Sequence, residues 1–92
     1  MNATQCKMAR AATGLGVREL ALAADVSPNT IARLERGEAM REATVAAIRA
    51  ALEAAGVEFI PENGGGAGVR LSKSHIVQQG TKPDELDASN DD

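Results

Sequence analysis

The sequence has almost no aromatic residues: Phe59 is the only one among 92 residues, and tryptophan and tyrosine are absent. A hydrophobic core must therefore be built from alanine, leucine, isoleucine, valine and methionine. Proteins that bind single-stranded nucleic acid stack the bases on aromatic rings. The composition thus argues against a protein that reads RNA or single-stranded DNA.

Cysteine and histidine are equally scarce, because Cys6 and His75 are the only ones. One cysteine cannot form an internal disulfide, and one cysteine with one histidine leaves no zinc site. No nucleophile, base and orienting group can be assembled from them, so we expect no enzymatic activity. The glycine-rich run ends with Gly68 followed by Val69, where a Walker A loop requires lysine and then serine or threonine. We therefore expect neither a metal nor a nucleotide, and no other cofactor.

A long hydrophobic run is also missing, since no segment approaches the roughly 20 apolar residues of a membrane-spanning helix. The first residues lack the basic segment and the apolar stretch of a secretory signal. The sequence therefore predicts a cytoplasmic protein with no membrane partner.

The formal net charge of −3 is unevenly distributed along the chain. Residues 1–71 balance eight basic residues against eight acidic ones, whereas residues 72–92 carry two basic and five acidic residues. From about residue 78 onward the chain is polar and acidic without periodicity, which predicts a disordered tail. This tail either keeps the protein soluble, competes with other anions for basic residues, or binds a partner protein.

The sequence predicts a short helix (the central helix) in the first half of the chain, because residues typical of a helix start and of a helix end flank it. Ser27 is a preferred N-cap, Pro28 suits the first helical position, and Gly37 provides the left-handed residue that often ends a helix. Between them, only Ile31 and Leu34 are large and apolar, so one narrow stripe is available for a core. The opposite face is left to present polar and basic side chains.

The preceding segment, Val17–Ala24, predicts a second short helix. Gly16 is placed as its N-cap, and Glu19 follows at the position of a capping-box carboxylate. Only Asp25 and Val26 separate it from the central helix, so the two helices must cross steeply, as in a helix-turn-helix. The second helix of that motif enters the major groove of DNA.

The rest of the chain predicts two further helices and two short strands. Thr4–Thr13, with Thr4 as its cap, and Glu42–Ala55 have helical periodicity. Val57–Ile60 and Val69–Leu71 alternate as strands do and flank a glycine-rich loop, so they predict a hairpin, which Ser72–Val77 can extend. The predicted fold class is all-α: a small bundle of about four helices with a short C-terminal hairpin and a disordered acidic tail.

Several spaced motifs together resemble the Cro/repressor-type helix-turn-helix family, also called the XRE family, of bacterial and phage regulators. They are Arg18-Glu19-Leu20-Ala21, Ala24-Asp25-Val26-Ser27, Thr30-Ile31 and Arg33-Leu34-Glu35-Arg36-Gly37. The resemblance covers roughly residues 4–56. It implies a lambda-repressor-like bundle in the bacterial cytoplasm that binds double-stranded operator DNA, usually as a homodimer.

Two residues depart from that family's pattern. Val17 stands where the family often has glutamine at the start of the first motif helix. Asp25 stands where the turn usually has glycine, and aspartate adopts the left-handed conformation less readily than glycine but better than most residues.

The position of each side chain on the central helix suggests its contact with DNA. Pro28 and Asn29 lie at its N-terminal end and should reach base edges first, and asparagine can contact adenine with two hydrogen bonds. Arg33, one turn further on, is expected to contact guanine or a phosphate. The candidates for phosphate contacts are Arg18, Ser27, Thr30, Arg36 and Arg41. The alternative for Arg36 and Arg41 is that they cap helix ends or pair with Glu38 and Glu42.

The resemblance also implies an ion pair between Arg10 and Glu35, which would join the first helix to the central one. The alternative is two independent, solvated charges. Such a pair serves to position the helices rather than to add much stability, because desolvation offsets much of the Coulomb attraction.

We divide the chain into a DNA-binding domain (1–56), a hairpin extension (57–77) and an acidic tail (78–92). A two-stranded hairpin is only marginally stable alone, so it must either pack on the helical bundle or pair with a second copy of the chain. We favour pairing with a second copy, which would give a two-fold dimer. The expected dimer contacts are Val57, Phe59, Ile60, Val69 and Leu71.

An alternative function is an antitoxin or another interaction module that binds a partner protein through the hairpin and the tail. The neutral domain, the acidic tail and Leu22 motivate it. Leu22 lies off the apolar side of its helix, and is either an ordinary exposed leucine or part of a contact with a partner.

Overall fold

A computed structural model describes residues 1–72 of the chain. It contains four helices followed by two strands: α1 Ala3–Thr13, α2 Val17–Ala24, α3 Pro28–Glu35, α4 Glu42–Ala54, β1 Val57–Ile60 and β2 Gly68–Leu71. The predicted helical bundle with a short hairpin is therefore confirmed. The suggested strand extension over Ser72–Val77 does not include Ser72, because β2 ends at Leu71; the rest of that segment and the acidic tail lie outside the described residues.

Helix α1 begins earlier than predicted, because Asn2 and not Thr4 is its N-cap. The Asn2 Oδ1 accepts from the Gln5 N–H at 2.7 Å, and the Gln5 Oε1 accepts from the Asn2 N–H at 3.0 Å. This reciprocal capping box satisfies two of the unpaired amides at the start of the helix. Helix α2 does begin after Gly16, but no side chain caps it, so the capping box predicted with Glu19 does not form.

The core is made of small and aliphatic side chains contributed by all four helices and β1. Helix α2 packs against α3 and α4, and α1 packs against α3, α4 and the hairpin. The buried apolar residues are Cys6, Ala9, Leu20, Ala21, Ala24, Ile31, Leu34, Ile48, Leu52 and Val57. Phe59 lies at the edge of this cluster, with the Arg49 guanidinium carbon 5.1 Å from its ring centroid.

The hairpin is antiparallel and is attached to the bundle through α1. Phe59 pairs with Val69 in its register, and Ile60 pairs with Gly68 at the loop end. There the buried Gln5 donates from Nε2 to the carbonyl oxygens of Ile60, at 3.1 Å, and of Gly68, at 3.0 Å. One side-chain amide thus holds both strands against the first helix.

Val57 was expected at a dimer contact, but its side chain is only 2% exposed. It lies in the core of its own chain because it follows directly after α4 and packs with the residues of that helix. Its side chain cannot contact a second copy. The other four hairpin residues that we expected there are half-buried.

Candidate nucleic-acid interface

The turn between α2 and α3 is fixed by one residue in a left-handed conformation. Asp25 has φ 59° and ψ 45°, and within residues 1–72 it is the only non-glycine residue with positive φ. Its N–H donates to the carbonyl of Leu22, and the Val26 N–H donates to the carbonyl of Ala21. Val26 packs against the core. The turn therefore determines the orientation of α3 relative to α2.

The first turn of α3 is capped as the sequence predicts. The Ser27 Oγ accepts from the Thr30 N–H at 3.1 Å, and the two side-chain hydroxyls lie 2.9 Å apart. Pro28 occupies the first helical position. The helix therefore begins with a rigid, exposed turn.

Helix α3 divides into a buried side and an exposed side. Ile31, Leu34 and Glu35 are buried, whereas Pro28, Asn29 and Arg33 are exposed. The other predicted contact residues are also at the surface, with Thr30 half-buried and the rest exposed: Arg18, Ser27, Thr30, Arg36 and Arg41. They lie on α3, at its N-cap Ser27, at the start of α2 or on the segment that leads into α4.

Helix α3 is joined to α1 by an ion pair with two hydrogen bonds. The Arg10 Nε lies 2.7 Å from the Glu35 Oε2, and the Arg10 Nη2 lies 2.8 Å from the Glu35 Oε1. The buried Cys6 thiol donates a third hydrogen bond to the same carboxylate, at 3.2 Å. The two charges are therefore not independently solvated, and they fix the back of α3 against α1.

These contacts shift the titration of each group in the cluster. The hydrogen bond from Arg10 lowers the pKa of Glu35, although burial of the carboxylate opposes this. Burial, together with the hydrogen bond to Glu35, raises the pKa of the Cys6 thiol to about 12. At neutral pH Glu35 is ionised and Cys6 is a protonated thiol with little reactivity.

The exposed end of α3 carries a second set of ion pairs. The Arg33 Nε lies 3.0 Å from the Glu38 Oε1, and the Arg36 Nη2 lies 3.0 Å from the Glu38 Oε2. Hydrogen bonds from Arg33 and Arg36 lower the pKa of Glu38. Arg36 thus adopts the expected alternative of pairing with Glu38. Within residues 1–72, Arg41 makes no ion pair with Glu42; it occupies the N-cap position of α4, without a capping hydrogen bond from its side chain.

A shallow cavity of about 250 Å³ lies between α3 and the start of α4. It is lined by Thr30, Arg33, Ala39, Met40, Arg41 and Thr44. Thr44 was not singled out from the sequence, although a hydroxyl in the first turn of a helix just after Arg41 was a usable signal. Two guanidiniums, two hydroxyls and a helix N-terminus suit an anion such as a phosphate.

A second cavity, of about 460 Å³, lies beside the turn and is lined by Arg18, Ala21, Leu22, Asp25, Val26 and Pro28. Leu22 is 83% exposed there and is the most conspicuous apolar side chain on the described surface.

The described part of the chain contains no group of three histidine, cysteine or acidic residues able to hold a metal ion. None of its helices has the length and apolar character needed to cross a membrane.

The sequence profile of a family described as a helix-turn-helix domain matches residues 3–59, which is more than half of the chain. No curated protein matches the chain.

Proposed function

The chain belongs to the helix-turn-helix domain family, and from this we propose that it is a sequence-specific transcriptional regulator of the Cro/repressor (XRE) type. It binds double-stranded DNA as a homodimer in the bacterial cytoplasm.

The observation that carries the proposal is the division of α3 into two sides. Ile31 and Leu34 anchor the helix in the core, while Asn29 and Arg33 project from its exposed side. A helix held in this way can enter the major groove with its first residues leading. The capped turn at Ser27 supports this, because it holds the leading residues in one conformation.

We assign base contacts to Pro28, Asn29 and Arg33. The Asn29 amide has the donor and acceptor that adenine N7 and N6 require, and Arg33 can donate two hydrogen bonds to guanine. Phosphate contacts are assigned to Arg18, Ser27, Thr30, Arg36 and Arg41. The cavity flanked by Arg33 and Arg41 supports the last of these, and it adds Thr44 to the set.

We further propose that the dimer forms through the hairpin. Phe59, Ile60, Val69 and Leu71 are half-buried and leave apolar surface exposed on its strands. A two-fold dimer requires an operator that is an imperfect palindrome, with half-sites about 10 base pairs apart or a multiple of that.

Alanine substitutions at the two principal base contacts test the proposal. Asn29→Ala should lose about 1 to 3 kcal/mol of discrimination at one base position without a change in folding. Arg33→Ala should weaken binding, with the loss concentrated at one base position if it contacts a base and uniform if it contacts a phosphate. Asn63→Ala, which changes an exposed asparagine in the hairpin loop, is the matched control.

Binding by titration on duplexes that carry each base at each position provides the measurement. Unchanged affinity and specificity in both variants would remove α3 from the recognition of DNA.

A second candidate function, an antitoxin-like interaction module, is favoured by the exposure of Leu22 beside a cavity. If it is correct, the protein purified from its own host should carry a stoichiometric small basic partner. Such a complex, combined with the absence of selective DNA binding, would replace the first proposal with the second.

A further inference from the structure

The backbone at the end of α3 places Glu38 beside the arginines of the proposed DNA-binding surface. Gly37 is left-handed, with φ 87°. The Glu38 N–H donates to the Arg33 carbonyl at 3.1 Å, and the Gly37 N–H donates to the Leu34 carbonyl at 2.9 Å. This pair of bonds is the Schellman motif, which turns the chain back over the last turn of the helix. The position of Glu38 is thus set by backbone hydrogen bonds and not by chance contact of side chains.

The Glu38 carboxylate divides its two oxygens between two guanidiniums. One oxygen accepts from the Arg33 Nε at 3.0 Å, and the other accepts from the Arg36 Nε at 3.1 Å. The terminal nitrogens of Arg33 make no hydrogen bond within the described residues. Arg33 is therefore held by one edge, while the nitrogens that form a fork with guanine O6 and N7 remain available.

The same carboxylate changes the charge of the surface. Sequence-independent binding to DNA comes almost entirely from the attraction between basic side chains and phosphates. Among the arginines assigned to that surface, Glu38 offsets part of the charge of two, Arg33 and Arg36. Its negative charge opposes the attraction of phosphates to this surface, and its hydrogen bond orients Arg33, the arginine to which we assign a base contact.

On the basis of the proposed function, we propose that Glu38 determines specificity by positioning Arg33 to read guanine and by suppressing binding to DNA of arbitrary sequence. Both effects raise the ratio of specific to non-specific binding. Glu38 itself contacts neither base nor phosphate and acts through Arg33 and Arg36.

The test compares the full-length protein with its Glu38→Gln variant, which keeps the shape of the side chain and removes its charge. Binding is measured over a series of salt concentrations on three probes: random-sequence duplexes, the duplex selected by the wild-type protein, and single-base variants of that duplex. We expect E38Q to bind random duplexes about 3 to 10 times more tightly at low salt. Its plot of log affinity against log salt should be steeper by about one.

The positioning role has its own readout in the pattern of base preference. E38Q should lose about fivefold or more of the preference for guanine at one base pair, with other positions unchanged, since a bidentate contact with guanine requires Arg33 to be correctly oriented. In an Arg33→Ala background, which already lacks that preference, the same substitution should cause no further loss.

Glu53→Gln is the matched control, because it makes the same change of charge in a similar environment. The Arg49–Glu53 pair has side-chain exposures of 45% and 44%, against 46% and 42% for Arg33–Glu38, and it lies on α4. We expect E53Q to leave both the affinity for random duplexes and the base preference unchanged.

The outcomes separate this inference from the proposed function. Selective binding by the wild type together with an unchanged guanine preference in E38Q would overturn the positioning role of Glu38. An equal gain in affinity for random duplexes in E38Q and E53Q would show that the gain comes from net charge alone. That result would also overturn the inference. Absence of DNA binding in every protein tested would overturn the proposed function, and the inference with it.

Discussion

Glu35 is a buried carboxylate that joins α3 to α1. Its two oxygens accept two hydrogen bonds from Arg10 and one from Cys6. Removing one partner of a buried pair leaves an uncompensated charge, which costs more than the intact pair contributes. The pair is therefore best regarded as a device that fixes the position of α3.

Arg10→Ala should lower the free energy of unfolding by about 3 kcal/mol, since it strands the Glu35 carboxylate. Urea denaturation of the purified protein measures this loss. The control is Glu53→Ala, which breaks the exposed Arg49–Glu53 pair on α4 while Arg49 stays over the Phe59 ring, and it should cost less than about 1 kcal/mol. Replacing both members of the buried pair, with Arg10→Met and Glu35→Leu, should recover most of the stability. Failure to recover it would show that the pair itself contributes net stability.

The lowered pKa of Glu35 gives the protein a dependence on acid pH. Because the pKa is lower in the folded state than in the unfolded chain, ionised Glu35 stabilises the fold above the unfolded value of about 4.3. This contribution is lost as the pH falls through the folded-state pKa. Unfolding measured between pH 7 and pH 2 should show a loss of stability below about pH 4. The loss should be smaller in Glu35→Gln, and identical slopes in the two proteins would contradict the assignment.

Residues that cap helices were predictable where their bonds are local. The Ser27 cap and the left-handed Gly37 each depend on backbone groups within about one turn, so the sequence contained the necessary information. The capping box of Asn2 and Gln5 is equally local, because the two residues are three positions apart, so this cap was also readable from the sequence. What the sequence could not show is that Gln5 also donates to Ile60 and Gly68, more than 50 positions away. The role of Glu38 was equally out of reach, because it requires the geometry of the turned chain.

At the scale of the elements, the stability of α3 depends on the left-handed glycine that follows its last turn. Gly37 has positive φ, and a Cβ at this position would meet nothing within 4 Å. An alanine there would cause backbone strain without a clash. The strain comes only from the left-handed backbone conformation, so the change in the free energy of unfolding measures it without a contribution from a steric clash.

Gly37→Ala should lower the free energy of unfolding by about 1 to 2 kcal/mol. Thermal or urea unfolding measures it. Gly66→Ala is the control, because Gly66 lies in the open hairpin loop without positive φ, and its stability should change by less than about 0.5 kcal/mol. A loss in Gly66→Ala as large as that in Gly37→Ala would mean that the effect does not come from the left-handed conformation.

The elements themselves were predictable because each has a clear period. The four helices and two strands lie within two residues of their predicted bounds. The packing of the hairpin was not predictable from period alone, since alternation identifies a strand but not what covers each face. This explains why Val57 was assigned to a dimer contact when it lies in the core.

For the molecule as a whole, a chain of side-chain contacts connects the proposed reading helix to the proposed dimer contact. Glu35 on α3 binds Arg10 on α1, and Gln5 on α1 binds both strands of the hairpin. If the hairpin forms the dimer, this connection fixes the distance between the two α3 helices. A fixed distance requires a fixed spacing of half-sites in the operator.

The overall charge does not favour DNA, because residues 1–71 carry as many acidic as basic residues. Sequence-independent attraction should therefore be weak, and binding must depend on the local arginines and on base contacts. A protein of this kind should lose non-specific complexes at modest salt while retaining specific ones.

The most direct test of this account is selection of bound fragments from a genomic DNA library by the purified protein, at low and at physiological salt. We predict enrichment of an imperfect palindrome with half-sites about 10 base pairs apart, or a multiple of that, which survives the higher salt. Binding that is absent, or that is unselective and disappears at physiological salt, would contradict the central claim. A single asymmetric half-site would contradict the two-fold dimer alone.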